Sequence, residues 1–275
     1  DRNMSQKEFA KRMDMSEKHI SKLINGEVLL TTDMALNLEM VLGVPAHFWS
    51  NLESLYREKL AKVIVENEMD EDIKIAKKFP YKDMVRYGWV EDTRNETEIV
   101  INLRKFFEVV KLELLDLNLI PSIACRRMAV HEKADYALIA WAQKAKLEAR
   151  NIQTKAINIH GLEKRISTIR SMTSKNPEIF CKELVDLLAK VGVALVFLPH
   201  IDSSFLHGAT FYDGKKIVIG LTVRGKDADR FWFSLFHEIG HILKGHINQA
   251  QGTTDQDEKD ADDYSKEVLI PQFQF

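Results

Sequence analysis

The stretch FWFSLFHEIGHILKGH, residues 231–246, places three histidines and one glutamate in a run of aromatic and aliphatic side chains. His237 and His241 are four residues apart, so on a helix they project from one face, one turn apart. That spacing lets two imidazoles bind one zinc ion from a rigid support. Glu238 follows the first histidine and can act as a general base without being a ligand. The pattern is HExxH, and it predicts a helix that carries part of a zinc site.

A structural interpretation competes with this one, because the flanking residues are apolar and histidines also pack in cores. A chain with 9 His in 275 residues contains HExxH by chance with a probability of roughly 2%. A third ligand would separate the two interpretations. His246 is not expected to be that ligand, since it lies about 140° around the helix from His241. We predict that His246 is a residue of the helix end.

A better third ligand lies in DQDEKDADDYSKEVLIP, residues 255–271. This segment is predicted to be a helix, and Glu258 shares its inward face with small and apolar residues at i+3, i+7 and i+10. Glu258 is therefore predicted to complete a site of two histidines and one carboxylate, with Asp260 as the fallback ligand. Asp262 is predicted to accept the spare N–H of a ligating histidine.

The first part of the chain, residues 4–60, predicts a compact set of short helices. Ser5 and Ser16 are suitable N-caps for QKEFAKRM and EKHISKLI, whose apolar residues recur at helical spacing. Asn25-Gly26 is predicted to end the second helix in a left-handed conformation. Two short helices joined by a tight turn, with a polar outward face on the second, match the helix-turn-helix module.

The outward face of the second helix is predicted to contact base edges and phosphates of DNA. From Asp1 to Gly26 the chain has six Lys or Arg against four Asp or Glu, a surplus of two. So small a surplus predicts modest affinity per subunit and a homodimer on a two-fold operator. The alternative is a helical bundle with a solvated charged face. The predicted DNA-binding residues are Gln6, Ser16, Lys18, His19, Ser21 and Lys22.

The rest of the chain changes character near residue 176. Residues 61–175 predict a helical middle region without a catalytic motif. Beyond it, PEIFCKELVDLLAKVG predicts a helix, VALVFLP a buried strand, and LHGATFYDGKKIVIGL two strands around a turn at Asp213-Gly214. The predicted fold class is α+β and mainly α. The predicted domains are a helix-turn-helix bundle at 1–60, the helical middle region at 61–175 and an α/β domain at 176–275.

The bulk composition bounds the partners and the compartment. A formal net charge of −2 gives no overall attraction to nucleic acid or to a membrane surface. No apolar run approaches the roughly 18 residues that a membrane helix needs. Only two cysteines, Cys125 and Cys181, are present, so we expect structural thiols and a cytoplasmic protein without a membrane partner. The chain opens without Met and stops at PQFQF, and we expect both ends to be incomplete.

The two ends of the chain resemble known families. HExxH followed by ExxxD on a second helix resembles the thermolysin-like (gluzincin) metallopeptidases. More closely, FWFSLFHEIGH and EKDADDYSKEVLIP resemble the ImmA/IrrE metallopeptidase family, whose members often read EKEADxFAxxxLIP here. The chain departs from that pattern at Asp260, Tyr264 and Ser265. The segment SQKEFAKRMDMSEKHISKLINGEVLLTTDMALNLEMVLGVPAHFW is similar to HigA-type antitoxin repressors of the XRE helix-turn-helix family. The order of repressor head, helical middle and peptidase tail resembles that of fused members, so the resemblance spans nearly the whole chain.

The resemblance implies a bacterial, plasmid or phage regulator with a zincin-like C-terminal domain and Zn2+ as its cofactor. Repressors of this kind bind operator DNA as dimers, the antitoxin type also neutralises a cognate toxin, and peptidases of the family are associated with cleaving repressors. The predicted function is a regulator with a working zinc endopeptidase that cleaves a regulatory protein. The alternatives are a repressor-antitoxin with a non-catalytic sensing or toxin-binding module, and an enzyme with a structural helical head. In a peptidase, GATFY would be an edge strand that aligns an extended substrate.

Overall fold

The chain forms two compact units, unit 1, Asp1–Asp70, and unit 2, Glu71–Phe275. None of the described helices combines the length and the apolar character needed to cross a membrane. The predicted fold class, α+β and mainly α, is confirmed, since helices outnumber the strands of one small sheet. The computed structural model describes residues 4–67, 69–115, 132–201, 207–223, 227–247 and 253–270.

Unit 1 consists of helices whose starts are set by capping side chains. The hydroxyl oxygens of Ser5 and Ser16 accept hydrogen bonds from the backbone N–H groups of Glu8 and His19, so both predicted N-caps are present. Between the first two helices, Asp14 has a left-handed φ of 52°, which gives the tight turn. The helices of unit 1 are α1 (Gln6–Arg12), α2 (Glu17–Ile24), α3 (Thr32–Leu42) and α4 (Ala46–Asn67).

The core of unit 1 is formed by the inward faces of α1, α2 and α3. Met13, Ile20 and Leu38 are buried there, and Trp49 of α4 packs against them. Helix α4 runs through the predicted boundary at residue 60. The predicted end of the helix-turn-helix domain, residue 60, therefore lies inside this long fourth helix.

Unit 2 contains a three-stranded sheet in the order β1-β3-β2. Strand β1 is parallel to β3, with Val193 opposite Ile217, whereas β2 is antiparallel to β3. Gly214 has a left-handed φ of 59° in the predicted turn between β2 and β3, so the predicted strands and turn are confirmed. The strands are β1 (Val193–Pro199), β2 (Gly208–Asp213) and β3 (Lys216–Val223).

Helices cover both faces of this sheet, because its strands alternate two sets of buried apolar residues. Val193 and Leu195 face one core, which includes Phe236, and Ala194 faces the other, which includes Trp141. A Cβ at Gly220 of β3 would lie 2.4 Å from Trp141 Cη2, so the absent side chain lets the indole lie on the strand. The covering helices are α8 (Glu132–Ala149) on the second core and α11 (Pro177–Ala189) and α12 (Ala228–Lys244) on the first.

Helix α8 belongs to the predicted middle region, yet it shares a core with the sheet. The predicted boundary at residue 175 thus crosses one continuous packing unit. Two short 3-10 turns, Leu112–Leu114 and Met172–Ser174, lie among the helices. The remaining helices are α5 (Asp70–Ala76), α6 (Tyr81–Arg86), α7 (Glu96–Phe107), α9 (Ile159–Glu163), α10 (Ile166–Ser171) and α13 (Asp255–Leu269).

Candidate functional site

The HExxH helix α12 and the acidic helix α13 approach each other closely at Gly240. A Cβ at this position would lie 3.2 Å from the Cα atom of Ala261, which is tighter than an ordinary contact, so glycine lets the two helices pack closely without a shift of the backbone. Further along, Ser265 Oγ donates a hydrogen bond to the carbonyl of Phe233 at 2.9 Å. Ala261 and Ser265, both on the predicted inward face of α13, are fully buried. This packing sets the first turn of α13 beside the two histidines.

Three potential metal ligands converge at this point. The Nε2 atoms of His237 and His241 are 3.1 Å apart. Glu258 directs one carboxylate oxygen to each imidazole, with Oε2 3.3 Å from His237 Nε2 and Oε1 3.5 Å from His241 Nε2. The structure thus brings together the two histidines and the carboxylate that were predicted as zinc ligands, with their ligand atoms within 4.8 Å of one another.

These separations fit a single zinc ion. Zinc–ligand bonds of about 2.0–2.1 Å in a tetrahedral shell give neighbouring donor atoms about 3.3 Å apart. Both carboxylate oxygens of Glu258 are buried, and neither makes a hydrogen bond of ordinary geometry with the described part of the chain. A cation would satisfy them. The fallback ligand Asp260 lies outside this group and accepts a hydrogen bond from Gln256 at 2.7 Å.

The ionisation of the three residues suits a cation site. Burial opposes the charge of Glu258, but the adjacent imidazoles and the side chain of Thr253 together outweigh it and hold the pKa of the carboxyl below its ordinary value. Burial lowers the pKa of His241 to about 4, which keeps that imidazole neutral. Burial also disfavours a charge on His237, but the surrounding carboxylates outweigh it and raise its pKa. An ionised carboxylate and neutral imidazoles are the forms that bind metals, so a metal at His237 would compete with a proton.

The outer nitrogen of His237 is held by the predicted partner. His237 Nδ1 lies 2.9 Å from Asp262 Oδ1, one turn along α13 from the candidate ligand Glu258. A carboxylate in this position fixes the ring orientation and places the proton on Nδ1, which leaves Nε2 as a donor to a metal.

The outer nitrogen of His241 contacts a residue that had been set aside. Helix α12 ends at Gly245, whose φ of 76° is left-handed, and the N–H of His246 bonds to the carbonyl of His241 at 2.9 Å. This Schellman geometry turns the chain back, so that the His246 side chain packs against the end of the helix. Its Nδ1 lies 3.1 Å from His241 Nδ1. On its other side, His246 Nε2 lies 3.4 Å from Asp257 Oδ1. His246 is a residue of the helix end, as predicted, and Gly245 was the sequence signal for its contact.

The carboxyl group of Glu238 contacts strand β2 of the sheet. Its Oε2 accepts a hydrogen bond from Thr210 Oγ1 at 2.5 Å, and a Cβ at Gly208 would lie 2.5 Å from its Oε1. Burial raises the pKa of Glu238 to about 7, so the carboxyl can take and release a proton near neutral pH. Neither the contact with Thr210 nor the one with Gly208 was predicted, since both residues come from β2.

Glu238 and His237 form part of the wall of a cavity of about 570 Å3. The cavity provides space beside the candidate metal ligands for a bound molecule. The other residues that line it are His207, Gly208, Asp229, Arg230, Phe233, Ser234 and Asp262.

Four of the predicted DNA contacts lie on α2, around its fully buried residue Ile20. Lys18 and Lys22 are exposed one turn apart, and Ser21 is half-buried. His19 is also half-buried, and its Nε2 has no hydrogen-bond partner among the described residues. The two lysines give this surface two positive charges that are open to a phosphate backbone.

The other two predicted contacts already make hydrogen bonds within unit 1. Ser16 Oγ accepts from the N–H of His19 at 3.1 Å, which leaves the hydroxyl hydrogen for a phosphate. Gln6 Nε2 donates to the carbonyl of Glu17 at 3.4 Å, so its amide joins α1 to the start of α2. A phosphate bound by Gln6 would compete with this contact.

Comparison with known proteins identifies the first part of the chain. Residues 1–49 match the family model described as helix-turn-helix. The N-terminal region is therefore a helix-turn-helix domain, the class of module that transcriptional regulators use to bind DNA.

A curated protein of Escherichia coli (strain K12), the uncharacterized HTH-type transcriptional regulator YddM, is 35% identical to the chain over 54 residues. The matched stretch is 20% of this chain and 57% of that protein, so the chain spans little more than half of this relative. No solved structure matches the chain.

The hydrogen bond between Thr210 and Glu238 yields a prediction for stability. Thr210→Val leaves a buried carboxyl oxygen without its donor, so we expect the free energy of unfolding to fall by about 1–3 kcal/mol. The matched control is Thr222→Val on the adjacent strand, because Thr222 Oγ1 is buried without a hydrogen-bond partner in the described structure. Urea unfolding followed by tryptophan fluorescence measures both, and equal losses in the two variants would contradict the assigned bond.

Proposed function

We propose that the chain is a transcriptional regulator that binds operator DNA through unit 1 and carries a zinc-dependent endopeptidase of the ImmA/IrrE type in unit 2. The convergence of His237, His241 and Glu258 on one point is the observation that carries the enzymatic half of this proposal. The helix-turn-helix match carries the other half. The proposed substrate is a regulatory protein, such as a repressor, and a cognate toxin is a further proposed partner.

The DNA-binding half makes a prediction about salt dependence. The double variant Lys18→Ala, Lys22→Ala should bind a DNA duplex more weakly, and its slope of log affinity against log salt should fall by about two, because each lost phosphate contact removes about 0.9. Fluorescence anisotropy with a duplex selected by the wild-type chain from a random pool measures this. Lys190→Ala, an exposed lysine of unit 2, is the control. An unchanged slope in the double variant would remove these lysines from the interface.

We also propose that the regulator is a homodimer that pairs through α4. Along this helix runs an apolar stripe of seven side chains, each 37–57% exposed. At roughly 100 Å2 of exposed area each, the stripe amounts to roughly 700 Å2, more than the largest apolar patch of most monomers. A standard interface buries about 800 Å2 per partner, so a second copy of the same stripe is a sufficient occupant. The stripe consists of Phe48, Leu52, Leu55, Tyr56, Leu60, Val63 and Ile64.

A charge placed in the stripe should separate the dimer. We expect the full wild-type chain to sediment with about twice its mass of 31.7 kDa, and Leu55→Asp to sediment as a monomer at the same micromolar concentration. Ile179→Asp on α11 is the matched control, because Ile179 is 54% exposed and Leu55 57%, and it should remain dimeric. A monomeric wild type, or a dimeric Leu55→Asp variant, contradicts pairing through α4.

In the proposed endopeptidase, metal binding and proton transfer are assigned to different residues. His237, His241 and Glu258 would hold the ion, while Asp262 orients the first imidazole through its Nδ1–H. Zinc, when bound, supplies a Lewis acid that polarises a carbonyl and favours the ionisation of water. Glu238, held by Thr210 on the cavity wall, takes a proton from the attacking water and passes it to the leaving amine.

The position of the sheet supports an extended peptide as the substrate. Strand β2 lies at an edge of the sheet, and its first residue, Gly208, lines the cavity beside Glu238. A peptide can add to such an edge through backbone hydrogen bonds, which recognise an extended chain largely independently of its side chains.

Metal content and proteolysis test the two parts of the endopeptidase proposal. The purified wild-type chain should retain about one equivalent of zinc, and Glu258→Ala less than about half, because a single carboxylate supplies the third protein ligand. Glu238→Gln should keep its zinc, since Glu238 is placed as a base and not as a ligand. Equal zinc in the Glu258→Ala variant would contradict the ligand assignment.

The same Glu238→Gln variant separates turnover from a sensing role. In cells that express the wild-type chain, new protein N-termini should accumulate, and they should be absent with Glu238→Gln because the proton acceptor is lost. Identical N-termini with both chains would contradict catalysis and favour a repressor-antitoxin whose unit 2 senses or binds a partner.

A further inference from the structure

We propose that His246 is a positioning residue of the zinc site, which fixes His241 in the tautomer that binds metal through Nε2. The proposal rests on the zinc site proposed above. It assigns a role to a histidine that is neither a candidate ligand nor a part of the cavity wall. Asp257 in turn fixes His246.

The proton positions follow from the contacts. A neutral imidazole that gives Nε2 to a metal carries its proton on Nδ1. For His241 this proton lies in the 3.1 Å contact with His246 Nδ1, which must then be the acceptor. His246 therefore keeps its own proton on Nε2, where it faces Asp257 Oδ1 at 3.4 Å. One arrangement of protons satisfies both contacts.

Asp257 is itself held in place by the start of α13. Its Oδ2 accepts hydrogen bonds from the backbone N–H and the hydroxyl of Thr254, both at 2.8 Å, which leaves Oδ1 for His246. The bond from that backbone N–H is the largest of the effects that lower the pKa of Asp257. The capping box of α13, formed by Thr254 and Asp257, is therefore connected to Nδ1 of His241 through the imidazole of His246.

The two imidazoles of the site are thus supported in different ways. His237 meets its carboxylate directly, whereas His241 reaches a carboxylate only through His246. Since Asp257 and Glu258 are adjacent in α13, the first turn of this helix supplies the third ligand and also anchors the support of the second. The orientation of His241 and the position of Glu258 are linked through this turn.

A purely structural role for His246 would consist in filling space, because the residue is only 7% exposed. Three substitutions separate the two roles. His246→Asn places an amide oxygen where Nδ1 lies and keeps an acceptor for His241. His246→Gln reaches the position of Nε2 and keeps a group near Asp257, but offers no acceptor to His241. His246→Phe fills the space without either contact.

The readout is the dissociation constant for zinc alone, measured on the full chain by competition with a chelator. His246→Gln and His246→Phe should bind zinc about 10–100-fold more weakly than the wild type. His246→Asn should bind at least about tenfold more tightly than His246→Gln, although glutamine fills the space better. If glutamine or phenylalanine preserves the wild-type affinity, or asparagine weakens it as much as phenylalanine, His246 acts by packing and the proposal is overturned.

A second measurement needs no variant. In the zinc-loaded wild-type chain, 15N spectra of the histidine rings should show the proton of His241 on Nδ1 and that of His246 on Nε2. The opposite tautomer at either ring overturns the proposal even where a variant fails to fold. A wild-type chain that binds no zinc overturns the metal site itself, and the role of His246 with it. A site that binds zinc but cleaves no protein leaves the positioning role intact.

Discussion

The candidate site depends on the close packing of α12 against α13 at Gly240, where a side chain would press on the backbone of Ala261. This contact brings Glu258 to the two imidazoles of α12. The site therefore places ionisable groups inside apolar packing, which is unfavourable unless each has a partner. Thr210 is the hydrogen-bond partner of Glu238, Asp262 that of His237 and His246 that of His241. The buried oxygens of Glu258 are therefore the atoms that a cation would neutralise.

Those parts of the site that depend on helix periodicity could be predicted from the sequence. The spacing of His237 and His241 is local, and the inward position of Glu258 follows from the repeat of small and apolar residues on α13. Thr210 could not be predicted as a partner of Glu238, because only the packing of α12 on the sheet brings them together. His246 is different: the angle that excluded it as a ligand assumes a continuous helix, and Gly245 ends that helix and turns the next residue back.

In the fold, too, features set by neighbouring residues could be predicted, whereas features set by contacts between distant residues could not. Caps, turns and strands follow from short patterns, such as Ser16 before α2 and Gly214 between β2 and β3. The extent of the units does not, since α8 has the periodicity of any amphipathic helix and its place on the sheet depends on Gly220 leaving space for Trp141. Helix α4 is also continuous across the predicted boundary at residue 60, because no residue within it interrupts the helix.

The surroundings of the two glutamates distinguish the proposed ligand from the proposed base. The imidazoles hold the pKa of Glu258 below its ordinary value, whereas burial raises that of Glu238 to about 7. Carboxyls whose environments separate their pKa values in this way are suited to different tasks, one as a permanent anion and the other as a carrier of protons. A cluster that only filled a core would need neither a proton carrier on the cavity wall nor a buried anion beside two imidazoles. The proposed ligand and the proposed base are thus distinguished by their surroundings as well as by the HExxH pattern.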